Sequence, residues 1–304
     1  MKTLFKTLLY FVLFAAISFP AYATLKVETT TQDLAAIARA VGGQHVEVHS
    51  MTPGSRDPHF AVAKPSMIRR VYRADLLLVI GAEMEIGWLP PLLQSARNNR
   101  VQPGEPGYLD LSLTIPLLGK SQGPVNRAMG DVHAKGNPHY WLDPRNGVRM
   151  AKAIAQRLAQ LDPEHADDFR ANVNHFEKTI NTKLVEWRKT LSHLNDTPVI
   201  AYHTSFVYLA DVFGFHIVDE VEPKPGIAPS AASLSKLLAR IKNEQINILI
   251  MEPYYERRSS RYLSDETGIQ IAVLPQSVGA QEDIVTYVDL FNRIVNILKI
   301  SGNK

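Results

Sequence analysis

Two rhythms of apolar residues alternate along the chain. Short runs such as LKVETTT (25–31), VEVHSM (46–51), ADLLLVIGA (74–82) and YLDLS (108–112) have the length and β-branched content of strands. Between them, TQDLAAIARAVGG and KPSMIRRVYRA place apolar residues three or four apart, with a polar start and, in the first, a glycine stop, which is helix grammar. The same order returns after residue 197 in PVIAYH, SFVYLADVFG, FHIVDEV, SAASLSKLLARIKNEQ, INILIME, ERRSSRYLSDETG, IQIAVLP and a last helix near DIVTYVDLFNRIVNILKI. Strand and helix in strict alternation predict an α/β fold of two Rossmann-like βα domains with parallel sheets. No sequence repeat relates the halves.

One stretch breaks the alternation. From Ala166 to Leu194 apolar residues recur at Phe169, Val173, Phe176, Ile180, Leu184, Trp187 and Leu191, without glycine or proline. At 1.5 Å per residue this predicts a helix roughly 40 Å long, enough to run the length of two domains. The expected organisation is a leader at 1–23, a first domain at 24–165, a connecting backbone helix at 166–194 and a second domain at 195–304.

The leader is expected because Lys2 and Lys6 precede an apolar run from Leu8 to Phe19, followed by Ala21-Tyr22-Ala23 as a small-x-small cleavage site. That run is short for a membrane span, which needs about 20 apolar residues. An exported, periplasmic protein without stable membrane insertion is the expectation. The chain has 33 basic and 30 acidic residues, and loss of Lys2 and Lys6 with the leader leaves near neutrality, which gives no footprint for nucleic acid. Cysteine is absent, so disulfides, thiolate metal sites and a lipid-bearing cysteine are all excluded.

Candidate chemistry lies in histidines at strand ends. His203 ends PVIAYH, and His59 follows VEVHSM through a short Pro/Gly loop. His139 sits between Pro138 and Pro144, where proline is expected to hold the loop extended. Parallel sheets bind ligands beyond the carboxyl ends of their strands, so these imidazoles are expected at one interdomain cleft. Neutral imidazole is a common ligand for Zn(II) and its neighbours. Gln276, just past IQIAVLP, is a possible fourth donor, and Glu85, Glu252 and His133 are candidates for a supporting or alternative role. Asp143 is expected to fix its own loop, Trp88, Tyr140 and Trp141 to pack, and Arg69, Arg70 and Arg73 to form a solvated helix face.

Across the chain after the leader, DPHFAVAKPS (57–66), ADLLLVIGAEMEIGWL (74–89), GNPHYWLDP (136–144), YHTSFVYLADVFGF (202–215) and LPQSVG (274–279) resemble the zinc/manganese-type solute-binding proteins of ABC transporters. The resemblance implies two βα domains joined by a long helix, with one transition metal between them. It implies His59, His139 and His203 as ligands and an inner-membrane ABC permease as partner. Many members carry aspartate where this chain has Gln276, so the fourth ligand does not carry over. A monomeric binding protein rather than an enzyme is expected. Zn(II) is favoured because the donors are imidazoles, whereas Mn(II) or Fe(II) requires an added carboxylate. A secreted zinc hydrolase, with water in the fourth position, and a surface adhesin are the alternatives.

Overall fold

In a computed structural model, residues 24–120, 133–222 and 226–301 are described, so the leader lies outside them. Two four-stranded, wholly parallel sheets form the framework. The first contains β1 (Leu25–Thr29), β2 (Val46–Ser50), β3 (Leu76–Val79) and β4 (Tyr108–Asp110) in the order β2-β1-β3-β4. The second contains β5 (Pro198–Ala201), β6 (His216–Glu220), β7 (Ile248–Met251) and β8 (Gln270–Val273) in the equivalent order β6-β5-β7-β8. The central strands β3 and β7 are buried at every residue, as their unbroken Leu, Ile, Val and Met runs require when helices cover both faces.

The first sheet is accompanied by α1 (Gln32–Gly42), α2 (Pro65–Arg73) and α3 (Leu89–Ala96), followed by α4 (Pro144–Leu161). Then comes α5 (Ala166–Thr190), and the second sheet brings α6 (Val207–Phe213), α7 (Ala231–Glu244), α8 (Arg258–Thr267) and α9 (Tyr287–Ile300). At 25 residues, α5 is about 37 Å long. Its α-helical hydrogen bonding ends at Thr190, and Leu191 and Leu194 carry the buried stripe on through a 3-10 turn. This helix packs against α4, α1 and α9, and Trp187 donates to Asn292 of α9 at 3.0 Å. One continuous core therefore runs from Val27 in the first sheet, through Phe169 to Trp187, to Leu298. Smaller cores lie on the outer side of each sheet, under α2 and α3 and under α7 and α8.

Three local expectations change. Pro144 does not stiffen an extended loop: it is the first residue of α4, with Asp143 as N-cap accepting from Arg145 N at 2.8 Å. Proline suits that position because its missing N–H would have no helical partner there. Arg70 is not simply solvated, since its Nε lies 3.0 Å from the buried carboxylate of Glu28. The helices α3 and α4 also add to the expected elements.

Candidate metal centre

Four histidine rings converge where the carboxyl ends of the two sheets face each other. Ring centroids are 5.1 Å apart for His59 and His139, 5.7 Å for His139 and His203, and 6.3 Å for His59 and His203. His133 stands 5.2 Å from His59. His139 and His203 are almost wholly buried.

The first two rings are set by the same local device. In Asp57-Pro58-His59, the aspartate Oδ1 accepts the His59 backbone N–H at 2.9 Å and faces its ring Nδ1 at 2.8 Å. In Asn137-Pro138-His139, Asn137 Oδ1 accepts the His139 N–H at 2.9 Å and faces Nδ1 at 3.0 Å. An Asx side chain readily turns to bond the backbone two residues on. Here it also fixes the imidazole. Asn137 Nδ2 donates to Thr204 O at 2.8 Å, which assigns the amide orientation and ties this loop to the residue after His203.

His203 is oriented from a neighbouring strand. Its Nδ1 lies 2.8 Å from Oε2 of Glu222, which follows β6 as His203 follows the paired strand β5. All three Nδ1 partners are oxygen acceptors, so Nδ1 carries the proton and Nε2 presents its lone pair to the cluster. The environments differ in charge preference. Burial, followed by the neighbouring His59, His203 and His133, holds His139 well below the usual imidazole range. Burial also opposes the charged form of His203, but the Glu222 hydrogen bond and the fields of Glu252, Glu222 and Asp57 outweigh it and raise its pKa. For His133, burial and repulsion from His59 and His203 bring the value down to about 3.

The remaining candidates separate. Glu252, just after β7, is fully buried; neither carboxylate oxygen meets ordinary hydrogen-bond geometry with a described partner, although the Ser205 hydroxyl stands close enough to favour its charged form. Burial raises its pKa to about 7, with the charge of His203 pulling the other way. A carboxylate so weakly bonded, and coupled to His203, suits a cation. Gln276 is buried, its Oε1 accepts the Tyr254 hydroxyl, and its backbone oxygen accepts Trp141 Nε1 at 2.8 Å. Glu85 serves the first sheet: it accepts Thr30 Oγ1 at 2.6 Å, Ile80 N at 2.8 Å and Gly81 N at 3.0 Å.

Imidazoles on one tetrahedral ion, with Zn–N about 2.1 Å, have donor nitrogens roughly 3.4 Å apart and ring centroids roughly 5 Å apart. The His59–His139 pair already meets that spacing, while His203 stands about 1 Å too far from His59. Accordingly, no set of three His, Asp or Glu groups among the described residues is closed to coordination geometry. Asp57, Asn137 and Glu222 were not recognised in the sequence as ring-orienting groups. The repeated Asx-Pro-His tripeptide is the signal for the first two, whereas Glu222, 19 positions from His203, leaves no local trace.

The family model for the periplasmic component A of zinc-uptake complexes matches residues 27–300. The chain belongs to this family of metal-binding ABC-transporter solute-binding proteins. It is 25% identical over 291 residues to the high-affinity zinc uptake system protein ZnuA of Yersinia pestis, covering 90% of each chain. It is also 25% identical to the manganese ABC transporter substrate-binding lipoprotein PsaA of Streptococcus pneumoniae, covering 81% of this chain and 78% of that protein. A crystal structure of ZnuA superposes with a TM-score of 0.75 at 22% identity, over 92% of this chain and all of the other. A Mn-bound periplasmic metal binding protein from candidatus liberibacter asiaticus gives 0.75 at 18% identity, over 92% of this chain and all of the other. Relatives thus bear both zinc and manganese names. Among the described residues, no helix is long and apolar enough to cross a membrane.

Proposed function

We propose that this protein captures one divalent transition metal, Zn(II) before other ions, in the periplasm and delivers it to an inner-membrane ABC permease. His59, His139 and His203 are the proposed ligands. The observation that carries this reading is the shared orientation of the three rings, each with Nδ1 engaged by a polar side chain and Nε2 left to the centre. Structural polar contacts alone do not require three separate loops to present lone pairs to one point. Imidazole donors favour zinc and its later-row neighbours, including Cu(II) and Ni(II), over manganese. In this reading residues 1–23 direct export and are removed, residues 24–165 and 195–304 form the two lobes, and residues 166–194 connect them.

Elemental analysis of the purified mature protein should find one ion per chain, and titration calorimetry should rank Zn(II) above Mn(II). Alanine at His59, His139 or His203 should each cost more than the roughly 10- to 100-fold expected for loss of a supporting partner. Retained affinity in two of the three variants would overturn the assignment.

The weakly bonded carboxylate of Glu252 favours one second reading, in which an oxygen joins the shell and Mn(II) or Fe(II) is the cargo. Under that reading Glu252→Gln lowers Mn(II) affinity more than Zn(II) affinity.

A further inference from the structure

We infer that His133 supplies the fourth ligand, making the centre a four-imidazole site rather than three imidazoles completed by Gln276. The inference rests on the metal-capture reading above and adds to it a residue from outside the strand-end loops. His133 Nε2 lies 3.1 Å from His59 Nε2, close to the roughly 3.4 Å that separates two nitrogens on one tetrahedral ion. The 5.2 Å centroid separation matches as well. Among the described residues, no other candidate for the fourth position has a donor atom within hydrogen-bond distance of an Nε2 of the cluster.

The proton arrangement supports this role. His59 donates its Nδ1–H to Asp57, so in the neutral ring its Nε2 is an acceptor. His133 must therefore donate an Nε2 proton to it in the metal-free protein. Metal binding replaces that weak N–H···N contact: His133 becomes the Nδ1–H tautomer by exchange with water, stays neutral, and turns its Nε2 lone pair to the ion. No net proton is released by this step. Gln276, by contrast, already commits its amide oxygen to Tyr254.

The position of His133 in the chain also fits a ligand held from one side. Ala134 N donates to Glu83 Oε2 at 2.9 Å, and Gly136 N donates to His133 O at 3.2 Å, so the segment is fastened to the turn after β3. Its Nδ1 has no hydrogen-bond partner among the described residues, unlike those of His59, His139 and His203. A nitrogen-only shell also strengthens discrimination against Mn(II).

The test uses the mature chain loaded with ¹¹³Cd(II) and labelled with ¹⁵N at histidine. Four Nε2 resonances coupled to cadmium are expected in the wild type, and His133→Ala should remove one while leaving three. X-ray absorption of the Zn(II) form should fall from four imidazoles to three in His133→Ala and stay at four in Gln276→Ala, and zinc affinity should drop at least 100-fold in the first variant only. Three coupled nitrogens in the wild type, or a spectrum unchanged by His133→Ala, would overturn the inference. If His203→Ala still abolishes binding in that case, the three-histidine reading stands, so the two failures are distinguishable.

Discussion

Nδ1 of His203 lies 2.8 Å from Oε2 of Glu222, and both side chains are nearly sealed from solvent. The contact joins the carboxyl ends of two paired strands and gives an imidazole that bears a lone pair a negative partner behind it. Such a partner raises ligand basicity and fixes ring direction. The same carboxylate oxygen accepts Gly226 N at 2.9 Å, so it also holds that residue.

Glu222→Gln retains an acceptor oxygen but loses the charge, and it should weaken metal binding about 10-fold; Glu222→Ala should approach 100-fold. Competition with a chromophoric chelator measures both. Equal affinity of all three proteins would show that His203 needs no orienting partner.

Replacing Gln276 with aspartate would introduce the residue type that the family resemblance implies at this position, but the local setting opposes it. The side chain is buried, its oxygen accepts Tyr254, and it lines a small cavity shared with Asp33. A second carboxylate there would be desolvated beside another acidic group, which is unfavourable. We expect Gln276→Asp to lower thermal stability and to leave the Zn(II)/Mn(II) preference within a few-fold of wild type. A clear gain in Mn(II) affinity, read by calorimetry, would place residue 276 in the coordination shell.

The sheets were legible because buried parallel strands have a strong signature: LLLV in β3 and ILIM in β7 admit no polar position. The placement of His59 and His203 followed from strand ends, because a parallel sheet gathers its outgoing loops on one edge, whereas the signal for His139 was its proline-flanked loop. What stayed hidden depended on long-range pairing. Nothing near Glu85 in the sequence distinguishes it from Glu252, yet one accepts three hydrogen bonds within the first sheet and the other has none of ordinary geometry. Likewise Pro144 marks a helix start or a stiff loop with equal force until Asp143 is seen to cap α4. His133 stood only among the supporting candidates because its proximity to His59 spans 74 positions.

Gly54 illustrates a close approach between the lobes. A Cβ at this position would stand 1.9 Å from Val278 O and 2.8 Å from Ala280 N, both backbone atoms that cannot rotate away. Gly54→Ala must therefore push the 276–280 loop off the first lobe. The expected result is a lower melting temperature together with weaker metal binding, since Gln276 O also receives the Trp141 side chain beside His139. Unchanged unfolding and affinity would mean that the two lobes separate freely at this edge.

The long helix can be tested at Trp187, which is 3% exposed, packs with its ring centroid 5.3 Å from that of Phe291 in a tilted arrangement and donates to Asn292. Large-to-small substitution of a buried aromatic costs about 3–5 kcal/mol, so Trp187→Ala should unfold at markedly lower denaturant. Trp187→Phe should cost less, yet still leave Asn292 without this donor. Because the Trp187 ring contacts lie on α9, at Phe291 and Asn292, rather than on a histidine loop, metal affinity of the folded fraction should be preserved. A loss of affinity equal to the loss of stability would instead tie the site to the packing of α5 on α9.

The final prediction concerns pH and a lobe contact that contains no histidine. Asp33, at the start of α1, accepts Ser277 Oγ at 2.5 Å and Val278 N at 3.0 Å. Burial raises its pKa to about 7, although both hydrogen bonds oppose that shift. In the unfolded chain an aspartate titrates near 3.9. Between these values the folded protein keeps a proton that the unfolded chain has lost, so the stabilising contribution is complete below about pH 4 and is lost as pH rises through about 7. Glu85 and Glu252, also raised to about 7, act in the same direction. His133 and His139 act oppositely, because they stay neutral in the fold where an unfolded histidine gains a proton near 6.5. These other groups are common to wild type and Asp33→Asn, so they cancel when the two metal-free proteins are compared at each pH. Wild type should lose stability relative to the variant between pH 5 and 8, by about 1.4 kcal/mol for each unit over which the protonation states differ fully. Thermal unfolding at stepped pH measures the gap. Parallel curves would mean that Asp33 is ionised in the folded protein, with Ser277 and Val278 outweighing burial.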